Sequence, residues 1–124
     1  MVSSPDCEFT RKLTLDERKA ECLKIQAKYS DRIPTIITRA RMTDFPQLEN
    51  SKFLIPKDLT IGHFIYVLRT KIHLSSKEAI YIFCNGIVPP NTMLVSQIYE
   101  KNKSEDGFLY LTITAENTFG GGGF

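Results

Sequence analysis

Cysteine is scarce in this chain, and its few copies stand apart. Cys7, Cys22 and Cys84 form no C-x-x-C pair and have no histidine at ligand spacing, which argues against a disulfide framework and a zinc site. Such usage fits a reducing compartment. Long apolar runs are missing as well. No stretch approaches the roughly 20 apolar residues that span a bilayer, and Met1-Val2-Ser3-Ser4-Pro5-Asp6 lacks the apolar centre of a signal peptide. Any membrane association is therefore expected to come by other means. An excess of one charge is lacking too: 16 Lys and Arg face 14 Asp and Glu, and a net charge of +2 is no footprint for nucleic acid. Only the N-terminal third is locally basic, with Arg11, Lys12, Arg18, Lys19, Lys24, Lys28 and Arg32 in the pattern of a solvated helix face. A catalytic set is also absent. Cys22 and Cys84 fall at apolar positions, where a thiol packs as a small hydrophobe. His63 and His73 are the only histidines, and no nucleophile, base and orienter group together. The sequence predicts a protein that is not an enzyme.

What is present is one domain's worth of chain. At 124 residues, 42% hydrophobic and 24% charged, it can bury a core without staples. Thr14-Leu15-Asp16-Glu17 has capping-box form, and Leu15, Cys22, Ile25 and Tyr29 recur at helical spacing, so residues 14–29 are expected to be a helix. A shorter helix is expected over 4–11. Ile33 to Thr38 is β-branched and reads as a strand, with Pro34 tolerated near its start. A turn with Asp44, Pro46, Asn50 and Ser51 leads to a second strand, Lys52-Phe53-Leu54-Ile55-Pro56, whose closing proline points to a sheet edge. Ile61, Phe64, Ile65, Leu68 and Ile72 form a core-facing stripe on a helix from 61 to 71. Ala79 to Cys84 reads as a buried strand ended by Asn85-Gly86, and a short helix is expected around 93–100. After the Asp106-Gly107 turn, Phe108 to Ala115 alternates, with Leu109, Leu111, Ile113 and Ala115 on one face and Phe108, Tyr110, Thr112 and Thr114 on the other. There is no internal repeat.

This order fits an α+β β-grasp, one helix packed on a mixed sheet. The last strand is expected to be central, and the N-terminal helices to cover the second face and so account for Phe108 and Tyr110 being apolar. The expected organisation is a helical extension over 1–30, a β-grasp core over 31–115 and a glycine tail over 116–124. Such a tail reads either as a linker-like end or as a threadable acyl donor, because glycine has no Cβ to block a narrow channel.

Several segments carry a resemblance: Glu17-Arg18-Lys19-Ala20-Glu21, Asp31-Arg32-Ile33-Pro34, Lys52-Phe53-Leu54-Ile55-Pro56 with Asp58-Leu59-Thr60, Phe64 to Arg69, Asp106-Gly107-Phe108-Leu109-Tyr110, and Glu116-Asn117-Thr118-Phe119-Gly120. Each is weak alone, and the series in order is specific. On these residues the chain resembles the autophagy-related protein 8 family of ubiquitin-like modifiers, which includes the GABA-receptor-associated and microtubule-associated light-chain proteins. The resemblance implies a ubiquitin-like β-grasp with two N-terminal helices. It further implies cleavage of the Gly120–Gly121 bond by a processing protease, then activating and conjugating enzymes that join Gly120 to phosphatidylethanolamine. No cofactor is implied beyond that covalent lipid. Here the chain departs from the family pattern, since Gly120 to Gly123 and Phe124 leave cleavage after Gly123 chemically open. The implied protein is a cytoplasmic monomer when soluble and sits on the autophagosome membrane after lipidation.

The same resemblance implies docking of short aromatic/aliphatic receptor and adaptor motifs by addition to the strand at 52–56. It implies an aromatic pocket at Glu21, Ile25, Pro34, Ile36, Lys52, Leu54 and Phe108, and an aliphatic pocket at Phe53, Ile55, Pro56, Leu59, Phe64 and Val67. Arg32, Lys52 and Lys71 would meet acidic residues flanking the motif. Read from the residues alone, Ile36, Leu59, Phe64 and Val67 serve equally well as core. Conjugation to protein lysines, or a peptide-binding adaptor that is never conjugated, are the competing readings.

Overall fold

The computed structural model describes residues 2–40, 51–71 and 78–117. Helix α1 spans Glu8–Lys12 and α2 Leu15–Lys28; strand β1 is Arg32–Arg39 and β2 Lys52–Pro56. Helix α3 (Ile61–Lys71), strand β3 (Glu78–Phe83), helix α4 (Val95–Asn102) and strand β4 (Leu109–Asn117) complete the order. The turn expected at Asp44, Pro46 and Asn50, the residues Ile72 and His73, and the tail from Thr118 onward lie outside the described residues.

The sheet has the order β2-β1-β4-β3, with β1 and β4 parallel and the outer pairs antiparallel. The last strand is central, as expected. One face carries the main core: Ile33, Ile37, Ile55, Leu109, Leu111 and Ile113 pack with Ile61, Phe64 and Leu68 of α3. The other face carries a smaller cluster of Cys22, Ile36 and Phe108, with Phe9, Ile25 and Tyr110 against it. The N-terminal helices thus cover Phe108 and Tyr110, and the Phe9 and Phe108 rings meet edge-on at 5.1 Å.

Local chemistry sets the helix starts. The Thr14 capping box forms, with Glu17 N–H donating to Thr14 Oγ1 at 3.1 Å and Thr14 N–H to Glu17 Oε1 at 2.8 Å. Helix α1 begins only at Glu8, because Cys7 is its extended N-cap, with the Cys7 N–H donating to Thr10 Oγ1 at 2.9 Å. The residues ahead of it pair instead with the turn before β4, through a Val2–Ser104 bridge. One expectation needs correction. Strand β3 is an outer strand rather than a fully buried one: Ile80 and Ile82 face the core while Tyr81 between them is 40% exposed.

Candidate functional site

Strand β2 is the outer strand of the described sheet beside β1, and its register determines what that edge offers. Ile37 N–H donates to Ser51 O at 2.7 Å and Lys57 N–H to Asp31 O at 3.2 Å. In an antiparallel ladder bonded and non-bonded pairs alternate, so the Ile36–Lys52, Pro34–Leu54 and Arg32–Pro56 pairs are the non-bonded ones. The backbone N–H and C=O of Lys52 and Leu54 therefore point away from β1. Pro34 sits at a non-bonded position, where its missing N–H costs the ladder nothing. Arg32 Nη1 reaches the outward carbonyl of Leu54 at 3.4 Å.

Alternation splits the expected site residues between the two faces of this edge. Lys52 and Leu54 share the α2 face with Pro34 and Ile36. Lys52 Nζ pairs with Glu21 Oε1 of α2 and lies 5.7 Å from the Phe9 ring centroid. Ile25 is half-buried beside this cluster, whereas Ile36 and Phe108 are fully buried beneath it. Phe53 and Ile55 point to the α3 face. There Phe53 is half-buried, its ring edge-on to Phe64 at 6.1 Å, with Leu59 and Val67 half-buried as well. Ile55 and Phe64 are each 2% exposed and belong to the core. Pro56 has the parity of Leu54 and ends the strand, its carbonyl accepting from Leu59 N–H at 3.1 Å. Lys71 is exposed in the last turn of α3. Gly120 and its neighbours lie outside the described residues.

The chain's family follows from its whole length rather than from this edge. Residues 17–120 match the family model described as "Autophagy protein Atg8 ubiquitin like". The chain belongs to the Atg8 family. It is 52% identical over 107 residues to autophagy-related protein 8B of Oryza sativa subsp. indica, covering 86% of this chain and 90% of that one. Autophagy-related protein 8d of Arabidopsis thaliana is 48% identical over 112 residues, 90% of this chain and 93% of that protein. Among solved structures, Trypanosoma brucei ATG8 superimposes with a TM-score of 0.86 at 35% identity, covering 93% of this chain and 99% of that one. Plasmodium falciparum Atg8, solved in complex with a P. falciparum Atg3 peptide, gives 0.79 at 32% identity, covering 90% and 100%. The β-grasp with added N-terminal helices is thus the Atg8 form of the ubiquitin-like fold.

One feature of this Atg8 chain was not legible in its sequence. Arg18, which looked like part of a solvated face, is 7% exposed, and its Nε donates to Asp106 Oδ2 at 2.9 Å. Asp106 also accepts from Phe108 N–H at 2.9 Å and from the Tyr110 hydroxyl. Burial and that bond to Asp106 push the Tyr110 hydroxyl up from its ordinary value. This network ties α2 to the turn before β4; the only prior signal was one arginine on the apolar side of the helix. The Cys22 and Cys84 thiols are buried, as their apolar positions in the sequence predict. Desolvation pushes Cys22 and Cys84 each up to about 11, so neither is a thiolate at neutral pH.

Proposed function

We propose that this chain is a ubiquitin-like modifier of autophagy, matured at Gly120, joined through its carboxyl group to phosphatidylethanolamine, and docking receptor motifs along β2. The observation that carries the docking half is the β2 edge itself. An extended peptide added there meets outward backbone groups at Lys52 and Leu54, and its alternate side chains turn to opposite faces. Two anchor residues an odd number of positions apart would then reach the α2 face and the α3 face. An aromatic anchor suits Glu21, Ile25, Pro34, Lys52 and Leu54 above buried Ile36 and Phe108. An aliphatic anchor suits Phe53, Leu59 and Val67 beside buried Ile55 and Phe64, with Pro56 closing the strand. Lys52, Arg32 and Lys71 supply positive charge for acidic flanks, with Lys52 exchanging Glu21 for the ligand.

The conjugation half rests on family membership and on the tail chemistry. In this reading the chain needs no cofactor, supplies only the acyl group, and leaves catalysis to a processing protease and to activating and conjugating enzymes. The Plasmodium relative's complex with an Atg3 peptide supports a conjugating-enzyme partner. A covalent lipid would take the cytoplasmic monomer to the autophagosome membrane, which suits a chain with no helix, among the described residues, long and apolar enough to cross a bilayer.

Intact mass after incubation with an autophagy-type processing protease tests the first step. Loss of Gly121 to Phe124 is expected, and Gly120→Ala should block it; loss of Phe124 alone would move the donor to Gly123. For docking, Lys52→Ala with Leu54→Ala should weaken an acidic aromatic/aliphatic peptide by about tenfold or more while leaving thermal unfolding nearly unchanged. An affinity unaltered in that variant would remove β2 as the site.

A further inference from the structure

The segment ahead of α1 is held to the β-grasp by polar contacts centred on one serine. Val2 N–H donates to Lys103 O at 3.1 Å, and Glu105 N–H to Val2 O at 2.8 Å. Ser4 N–H donates to Glu105 Oε2 at 3.0 Å. Ser4 Oγ lies 2.7 Å from Ser104 Oγ and 3.3 Å from Asp106 Oδ2. Ser104 and Asp106 are each 2% exposed, so little water screens this spot, while Ser4 itself is only half-buried. The residue after it is Pro5, which disfavours helical backbone at Ser4 and has no N–H of its own. An extended serine followed by a residue without an N–H is the substrate form that proline-directed protein kinases select.

We propose that Ser4 is a phosphorylation site for a proline-directed kinase and that its phosphate releases the N-terminal segment from the Ser104–Asp106 turn. In the transfer, Ser4 Oγ attacks the γ-phosphorus of ATP. The new Oγ–P bond forms as the bond to the bridging oxygen of ADP breaks, and the hydroxyl proton passes to the kinase's base. A group that could donate a hydrogen bond becomes one with close to two negative charges. It then stands beside the carboxylates of Glu105 and Asp106. Arg18, the cation facing Asp106, is already committed to that carboxylate and to the carbonyls of Thr10 and Leu13 at 3.3 and 2.7 Å. Repulsion therefore falls on the contacts that close the segment. Terminal segments held by few contacts open locally at low free energy, which gives the kinase its access.

The test incubates the full chain with ATP and purified proline-directed kinases of the cyclin-dependent and mitogen-activated classes. Fragment mass spectrometry then locates the phosphate, and amide hydrogen exchange is followed by NMR. The expected result is one phosphoryl group on Ser4, absent in Ser4→Ala and reduced in Pro5→Ala. Exchange at the Ser4 and Glu105 amides should quicken by about tenfold or more, with β4 amides unchanged. No incorporation by either kinase class, or phosphate on Ser3 or elsewhere in place of Ser4, overturns the site. Phosphate on Ser4 with unaltered exchange at Ser4 and Glu105 overturns the release.

Discussion

A methyl group on residue 107 has nowhere to go. Gly107 holds φ +93°, and a Cβ built there would lie 2.6 Å from Cys22 Sγ. Gly107→Ala combines backbone strain with a clash between the β4 turn and α2, and should cost about 2 to 3 kcal/mol in denaturant unfolding. Adding Cys22→Ala removes the sulfur but not the positive φ, so the double variant should recover part of that loss; full recovery would exclude backbone strain. The same thiol contributes to a pH dependence. Cys22 and Cys84 are raised from 9.0 to about 11, and Tyr99 to about 12, chiefly by burial. As pH climbs past 9 the unfolded chain releases protons that the folded chain keeps, so the difference favours unfolding. Urea midpoints should hold steady at neutral pH and fall between about pH 9 and about 11, and a flat profile there would refute desolvation of the thiols. Positive φ at Gly107 was foreshadowed by the Asp-Gly dipeptide. The approach of Cys22 was not, because it joins residues far apart in sequence.

At the scale of elements, an edge strand is defined by the direction of its backbone groups. The Leu54 N–H points outward, so replacing it removes no bond to β1. Leu54→Pro is therefore expected to leave the fold standing with a loss of about 1 kcal/mol or less, while abolishing strand addition by a peptide. Phe53→Pro would instead remove a ladder donor, and should destabilise by about 3 kcal/mol. Calorimetry and a peptide titration on the two variants separate these effects; peptide binding retained by Leu54→Pro would mean that ligands do not pair with β2. Hydrophobic period and punctuation made the helices and strands readable to within a few residues. The exception in kind was β3, where Ala79 to Cys84 is apolar enough to be buried on both faces. Nothing follows β3 on its outer side in the described sheet, so Tyr81 stays exposed.

The whole molecule is a sheet covered on both faces by helices of different origin. Helices α3 and α4 close the β-grasp core, and α1 and α2 close the second face over Ile36 and Phe108. Phe9 joins these parts: it stacks edge-on against Phe108 and lies under the Lys52 ammonium of the candidate docking edge. Phe9→Ala should therefore cost on the order of 2 kcal/mol in stability and also change affinity for a peptide at β2. Chemical denaturation and a peptide titration on one variant check both. A stability loss with wholly unchanged affinity would uncouple the N-terminal helices from the edge.

Alternating side chains, capping residues and turn dipeptides act over a few positions, so the sequence by itself determined the element types and the pairing of apolar faces. Its ordered motifs were enough to indicate the Atg8 family. Burial and register are properties of elements brought together from distant positions, and only the tertiary structure decided those. It divided the expected site residues between two sheet faces and sent Ile36, Ile55, Phe64 and Phe108 into the cores. It also turned Arg18 from a surface charge into the buried partner of Asp106. The physical reason is the same in each case: a side chain's neighbours lie far off in the chain, 16 positions for Ile36 and Lys52 and 88 for Arg18 and Asp106.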